Sequence, residues 1–380
     1  MDLNDYRLKI DEIDEKIVAM IAERMEVAAD IAAYKRENGL PILDAGRERQ
    51  KLAKVAEMSP EGMKDYMQLL YSLMFDLSRS YQGRQVGTSP ELPNKINAAL
   101  ENTPKLFPSG VPIVCQGVEG AYQQLACDKL FRNANILYVS SFDAVFSAIE
   151  SGLASYGVIP LENSTAGSVN SVYDLMMKHR FYIVRSIRLK IDHNLLVNPG
   201  TKLEDIREIY SHQQAIAQCA GYLKKFPNAK VIPCENTAMA AKMVSESGRS
   251  DIACLSSRNC MKLYGLECLE SSVQDQGNNY TRFICITRHL EIYPGADRTS
   301  LMLTLPHTPG ALYKLLSRFY AQGINLLKLE SRPIPDRDFE FMFYFDLEAS
   351  VYSPSFIDLM GEMKGLCDTF TYLGTYSEVI

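Results

Sequence analysis

Two sets of side chains in this sequence have types and spacings that could handle an anionic small molecule. The first lies near the N-terminus, where Arg7, Arg24, Lys35 and Arg47 supply cations and Asp44, Glu48, Ser78 and Gln82 supply carboxylates and hydrogen-bonding groups. The second is discontinuous. Asn279-Tyr280-Thr281-Arg282-Phe283 sets one hydroxyl and one guanidinium between the glycine of Asp275-Gln276-Gly277 and the apolar run Phe283-Ile284-Cys285-Ile286, at the mouth of an expected buried strand. Glu162-Asn163-Ser164-Thr165-Ala166-Gly167-Ser168 offers hydroxyls, an amide and free backbone N–H groups ahead of a helix, a combination suited to a carboxylate. Ser211-His212-Gln213-Gln214, with Gln218, opens another helix. Each stretch alone also has an ordinary explanation as a capped turn or a solvated helix face, so the elements that position them decide the reading.

Composition narrows the choices. At 380 residues the chain is long enough for two or three domains. Its 47% hydrophobic and 23% charged residues are those of a soluble globular protein, and a net charge of -6 gives no electrostatic case for nucleic acid or an anionic membrane. Any anionic ligand must therefore be held by a local cluster of cations. The nine cysteines are scattered, with no Cys-x-x-Cys pair and no zinc-like spacing, which argues for a reducing compartment and against a metal. The start Met1-Asp2-Leu3-Asn4-Asp5 is acidic and polar, and no apolar run approaches about 18 residues, so neither a signal peptide nor a membrane span is expected. A cytoplasmic location follows as the expectation.

From Tyr6 to about Arg36, Tyr6, Ile10, Ile13, Ile17, Met20, Ile21, Val27, Ala28 and Ile31 recur every three or four positions without Gly or Pro. The spacing predicts one amphipathic helix about 46 Å long at about 1.5 Å per residue. So long a helix buries its stripe most easily against a second copy, so a homodimer or higher homo-oligomer is expected. Arg24 and Lys35 are eleven positions apart and fall within about 20° of each other, whereas Arg7 lies roughly 100° from Arg24. If all three touch one ligand, Arg7 comes from the partner chain. Asn38-Gly39-Leu40-Pro41 stops the helix. A second helix opens near Asp44 and puts Asp44, Arg47 and Glu48 on one face. A third starts at Ser59-Pro60-Glu61 and brings Ser78 and Gln82 one turn apart near its end.

On these residues, positions 1–85 resemble the all-helical chorismate mutases. The resemblance implies a dimer that holds the dicarboxylate chorismate in the chair from which it rearranges to prephenate. That unimolecular shift needs no nucleophile, metal or proton shuttle, only a compact conformer and positive or hydrogen-bonding groups at the breaking ether oxygen. By the same resemblance, Arg7 of the partner subunit, Arg24 and Arg47 hold carboxylates and Lys35 and Gln82 face the ether oxygen. Asp44, Glu48 and Ser78 fix the ring hydroxyl and the geometry of the site.

Prolines at 90, 93, 104, 108 and 112 mark residues 86–110 as a linker, with at most a short helix from Lys95 to Glu101. Residues 111–290 then alternate strand and helix. Expected strands are Pro112 to Cys115, Asn135 to Val139, Tyr156 to Leu161 and an extended stretch from Arg180 to Ile191, with a second lobe from about Asp192 to Glu270 before the Thr281 strand returns. Ligands in such α/β folds sit at strand ends or between lobes.

Gly157-Val158-Ile159-Pro160-Leu161-Glu162-Asn163-Ser164-Thr165-Ala166-Gly167-Ser168-Val169, Ser211-His212-Gln213-Gln214-Ala215-Ile216-Ala217-Gln218-Cys219 and Asn279-Tyr280-Thr281-Arg282-Phe283 together resemble prephenate dehydratase. The resemblance implies two lobes like those of periplasmic binding proteins, closing over prephenate as ring hydroxyl and carbon dioxide leave to give phenylpyruvate. It implies Thr281 as proton donor to the departing hydroxyl, Arg282 as support for the strand mouth or a carboxylate, and Glu162, Asn163, Ser164, Thr165, Ser211, Gln218 and Glu235 as pocket residues. One departure stands out. The family's Gly-Pro-x-Gly-Thr-Tyr-Ser turn reads Gly117-Val118-Glu119-Gly120-Ala121-Tyr122-Gln123 here, so two hydroxyls are missing.

Residues 298–380 predict strands from Thr299, Ile324, Phe339 and Thr369 and helices from Gly310 and Ser353, the βαββαβ order of ferredoxin-like α+β domains. Gly310-Ala311-Leu312 and Glu330-Ser331-Arg332-Pro333 resemble the signature stretches of the ACT domain of these dehydratases, which implies phenylalanine as effector, with Asn325 as a further polar contact. The whole reads as a bifunctional enzyme without cofactor: an all-α mutase, a two-lobed α/β dehydratase and an ACT sensor, acting on chorismate and prephenate and inhibited by phenylalanine. Two rivals are a mutase fused to a dehydrogenase, which the lack of a Gly-x-Gly-x-x-Gly after a strand disfavours, and a non-catalytic amino-acid sensor.

Overall fold

The computed structural model describes residues 2–40, 44–86, 90–335, 337 and 340–379. Pro41, part of the expected helix stop, and Phe339, the expected start of a strand, lie outside them. The chain divides into two compact units. One comprises residues up to 95 with 305–323 and 352–370, and the other comprises 96–304 with 324–351 and 371–380.

The first unit is helical. Its long helix α1 (Leu3–Glu37) starts from a capping box in which Asp2 accepts from the backbone of Asn4 and Asp5, and it ends in Lys35 and Arg36, charges that suit the two ends of the helix dipole. Only Ala28 and Ala32 of α1 are buried within the chain, while Tyr6, Ile10, Ile13 and Ile17 are each about half exposed. The periodic stripe is therefore present and stays half exposed over its N-terminal part. Helices α2 (Ala45–Met58) and α3 (Lys64–Val86) pack on one another, and the later part of α1 packs on α3. Helix α4 (Glu91–Asn102) is longer than the sequence suggested because Pro93 falls in its first turn, where a missing N–H costs nothing.

The second unit is built on two sheets. Strands β1 (Pro112–Gln116), β2 (Asn135–Val139) and β3 (Tyr156–Asn163) alternate with α5 (Tyr122–Leu130) and α6 (Phe142–Glu150), followed by the short β4 (Gly167–Ser168), α7 (Asn170–Met176) and β5 (Tyr182–Lys190). The second lobe holds β6 (Asn194–Val197), β7 (Glu208–His212), α8 (Gln213–Gln218), α9 (Ala220–Leu223), β8 (Lys230–Cys234), α10 (Thr237–Ser247), β9 (Ile252–Ser256), α11 (Arg258–Tyr264) and β10 (Glu267–Glu270), with sheet order β10-β6-β9-β7-β8. The chain then returns as β11 (Tyr280–Thr287), which lies between β5 and β3 in the first sheet. In β1, Val114 enters the core on one face and Ile113 and Cys115 that on the other. Burial on both faces explains why β1 and β11 read as unbroken apolar runs. Gly157 lets α6 approach β3, since a Cβ there would stand 2.8 Å from Val145.

The C-terminal stretch runs β12 (Arg298–Thr304), α12 (Ala311–Ala321), β13 (Asn325–Pro333), β14 (Phe341–Glu348), α13 (Pro354–Leu366) and β15 (Thr369–Val379). The expected element order is thus observed, with strand order β13-β14-β12-β15. Strand β15 is longer than expected. Beyond Gly374 its last residues, Ser377 to Val379, pair in parallel with β5, which fuses the two strand sets into one sheet. Gly374 sits at φ 133°, and a Cβ there would meet the Ile183 carbonyl oxygen at 2.3 Å.

Candidate functional sites

In the helical unit, α1 and α3 bring Arg24 and Ser78 together, with Arg24 Nη1 donating to Ser78 Oγ at 2.6 Å. The guanidinium lies over the Phe75 ring at 5.7 Å. Ser78 and Gln82 are buried, Arg24, Lys35 and Glu48 half-buried, and Arg7, Asp44 and Arg47 exposed. Asp44 caps α2, its carboxylate accepting from the Arg47 backbone N–H at 2.9 Å. Glu48 is held by Arg79, which also pairs with Asp76. Sequence reasoning missed Arg79 and Asp76. Asp76 in turn takes Lys314 of α12 at 3.4 Å and, through its carbonyl, Arg318. Arg7 lies seventeen positions before Arg24 on the same unbroken helix, about 25 Å away at about 1.5 Å per residue, so it cannot share a ligand with Arg24 of its own chain.

The second unit contains a cavity of about 500 Å³ between its lobes. Thr281, Phe283, Pro160, Asn163 and the 166–169 turn line one side, and His193, His212, Gln214, Gln218, Glu235, Asn236 and Thr237 the other. Ala121, Tyr122 and Gln123 of the departed turn also line it. Among the described lining residues there is no Arg or Lys, so an anion there relies on amides and backbone N–H groups. The uncapped start of α5 at Ala121 and the start of α10 at Thr237 supply such groups.

Thr281 sits where the chain crosses between lobes, beside the Ile191 N–H donating to the Asn279 carbonyl at 2.8 Å. Asn163 Nδ2 donates to Thr281 Oγ1 at 2.9 Å and to Asn279 Oδ1 at 2.8 Å. Asn163 Oδ1 accepts from the backbone of Thr165 and Ala166 and from Thr165 Oγ1. Gln218 Nε2 donates to Thr165 Oγ1 at 2.8 Å. Among the described residues nothing accepts the Thr281 hydroxyl hydrogen. Asn163, Thr165, Gln218 and Thr281 thus form one connected group, as the sequence suggested. Glu235 also reaches the cavity.

Four other expected pocket residues face elsewhere. Arg282 follows Thr281 on β11 and so points to the opposite face, where it is 5% exposed and bound to Glu162, Asp346, Glu378 and the Tyr376 hydroxyl. Its guanidinium is taken up by these protein carboxylates, and it clamps the strand rather than reaching into the cavity. Burial works against its charge, but Tyr376 and Asp346 outweigh that and raise its pKa. Glu162 pairs with Lys328 at 2.6 Å and with Arg282 at 3.2 Å. Burial pushes its carboxyl up, yet these two cations more than offset it, and the pKa falls below the usual carboxylate value. The cause of its direction is a register shift in the β3–β11 pairing, where Phe283 meets Pro160 but Arg282 meets Glu162. Ser211, fully buried, donates to the Leu255 carbonyl. Ser164 accepts from Tyr280 N and donates to Asn278 O, which fixes the loop.

At the expected effector stretches, Gly310 caps α12 at φ 81°, a left-handed conformation that favours glycine there. Ala311 and Leu312 form the first residues of that helix. Asn325 donates to Glu348 at 3.0 Å. On β13 the alternate residues Lys328, Glu330 and Arg332 turn toward the 162–168 stretch and α7. Lys328 reaches Ser168 at 2.9 Å, Ser168 donates to Glu330, and Arg332 forms a two-pronged pair with Asp174. Ser331 lies between them in the strand.

One unit is helical and holds Arg24 against Ser78, and the other is a two-lobed α/β fold with a cleft. Family models for prephenate dehydratase and for chorismate mutase type II match residues 113–291 and 6–83. The bifunctional chorismate mutase/prephenate dehydratase of Escherichia coli strain K12 is 31% identical over 380 residues, 97% of this chain and 95% of the relative. A chloroplastic arogenate dehydratase/prephenate dehydratase of Arabidopsis thaliana is 37% identical over 285 residues, 70% of this chain and 72% of that one. The solved structure of an Arthrobacter aurescens prephenate dehydratase in complex with L-Phe is 26% identical with a TM-score of 0.64, covering 70% of this chain and 90% of that one. The chain belongs to the bifunctional chorismate mutase/prephenate dehydratase family. It is a chorismate mutase and a prephenate dehydratase, an isomerase and a lyase of phenylalanine biosynthesis. Among the described residues, no helix is long and apolar enough to cross a membrane, and no group of His, Cys, Asp and Glu could hold a metal.

Proposed function

We propose that Thr281 is the acid of the dehydratase reaction and that Asn163 prepares it. As the ring carboxylate leaves as carbon dioxide, its bonding pair enters the ring and the C–O bond breaks with its pair on oxygen. Thr281 gives its proton to that oxygen, water departs, and a solvent proton restores the threonine, so one proton is consumed per turnover. A hydrogen bond donated into Oγ1 stabilises the charge the threonine acquires, which a lone hydroxyl could not bear. The observation that carries this reading is the Asn163 to Thr281 contact at 2.9 Å on the wall of the cavity. Thr281→Val tests it: phenylpyruvate formation from prephenate should fall by at least about 10² with the mutase rate little changed, and a near-normal dehydratase rate would count against it.

For the mutase, the proposed set is Arg24, Lys35, Arg47, Glu48, Ser78, Asp44 and Gln82 of one chain with Arg7 of the partner subunit. The half-exposed N-terminal stripe of α1 supports a homodimer in which a second copy covers it. Domain limits of 1–85, 111–290 and 298–380 are part of the same proposal, the last being an ACT domain that binds phenylalanine through Gly310, Ala311, Leu312, Asn325, Glu330, Ser331 and Arg332. Bound phenylalanine lowers the dehydratase rate through Lys328 and Glu330, which hold Glu162 and Ser168.

A second substrate, arogenate, is favoured by Glu235, the one acid among the described lining residues, which suits an ammonium better than a keto group. The Arabidopsis relative is named for both activities.

A further inference from the structure

His193 was not among the expected residues, yet it lines the cavity and is 3% exposed. Its Nε2 lies 2.9 Å from Gln218 Oε1, and its Nδ1 is buried with no partner among the described residues. We propose that His193 is a positioning residue of the dehydratase reaction, anchoring the far end of a one-way hydrogen-bond chain that finishes on Thr281. The proposal rests on the reading of Thr281 as the acid.

The direction of the chain follows from donors that cannot be reversed. The backbone N–H groups of Thr165 and Ala166 both point at Asn163 Oδ1, so the Asn163 NH2 must face Thr281 and Asn279. Asn279 therefore presents its oxygen to Asn163 and its NH2 to Gln218, at 3.0 Å. Gln218 must answer with its oxygen, because the opposite orientation would set two NH2 groups against each other. That same oxygen faces His193, which places the imidazole proton on Nε2 and a lone pair on Nδ1. Burial lowers the His193 pKa and so favours the neutral ring, the Gln218 contact acting the other way. From His193 the donors run to Gln218, then Thr165, Asn163 and Thr281, and the last hydrogen is free for the substrate. Aligned bonds polarise one another, so holding Gln218 strengthens what Asn163 delivers. His193 is itself fixed by its backbone, which donates to Gln274 Oε1 and accepts from Val273.

The test compares His193→Leu with His193→Gln, whose amide nitrogen reaches the place of Nε2. The expected result is a dehydratase kcat at least about tenfold lower for His193→Leu, with KM for prephenate and the mutase rate little changed, and a His193→Gln variant within about threefold of the unmodified chain. A smaller fall, or a glutamine variant no better than leucine, overturns the proposal. If His193→Leu does not fold by thermal melt, nitrogen NMR of the unmodified chain decides. A neutral ring protonated on Nε2 at pH 7 supports the proposal, and a charged or Nδ1-protonated ring overturns it. Thr281→Val assayed alongside separates the two readings: retained activity there rejects Thr281 as the acid whatever the His193 ring shows.

Discussion

Asn163 Nδ2 stands 2.9 Å from Thr281 Oγ1, while two backbone N–H groups hold the other end of the same amide. The side chain cannot turn over without breaking both of those bonds. Thr281 thus faces a fixed donor, and its own hydrogen remains for the substrate.

Replacing Asn163 with Asp keeps the shape but offers Thr281 an acceptor in place of a donor. The threonine hydrogen then turns to the carboxylate. Dehydratase kcat should fall by about 10² to 10³, the usual cost of one lost donor at a developing charge, with the mutase rate unchanged. Steady-state assays of both activities on one preparation check this.

The two chains of a dimer should complement one another at the mutase site. Arg7→Ala and Arg24→Ala should each lose mutase activity by orders of magnitude as homodimers. Unfolding and refolding the two together should restore part of it, because mixed dimers carry one intact site. No recovery would place Arg7 outside the site.

The Glu162 to Lys328 contact joins the dehydratase loop to β13, and its strength should follow pH. Because the folded-state pKa of Glu162 is lowered, its stabilisation is complete above the unfolded value of about 4.3 and is lost as pH falls through the folded value. Glu162→Gln should therefore cost about 1 to 2 kcal/mol at pH 7 and converge with the unmodified chain in acid. Denaturant melts across pH measure the difference. Lys328→Met should weaken inhibition by phenylalanine at pH 7 without removing basal activity.

Much of this was legible in the sequence. Unbroken apolar runs marked β1 and β11 because both their faces are buried, β2 reads as apolar although it is a half-exposed edge strand, and apolar residues every three or four positions marked α1. Thr281, Asn163, Thr165 and Gln218 were singled out and do meet. What the sequence hid was side-chain direction. Glu162 and Asn163 are neighbours, and only the register shift opposite Phe283 decides that one faces Lys328 and the other the cavity. Ser211 looked like a contact because its neighbours are, but a strand alternates and turns it inward. The junction of β15 with β5 depends on a pairing between distant segments that no local pattern announces. For His193 the one available signal was a polar pair, His193-Asn194, set against the apolar run Leu195-Leu196-Val197.

The most direct measurement is the pair of rates, chorismate to prephenate and prephenate to phenylpyruvate, on folded Thr281→Val. With Thr281 as the acid of a separate dehydratase site, the mutase rate stays within about twofold while the dehydratase rate falls by at least about 10², the range for a lost general acid. A dehydratase rate near that of the unmodified chain, or an equal loss of both rates, would contradict it.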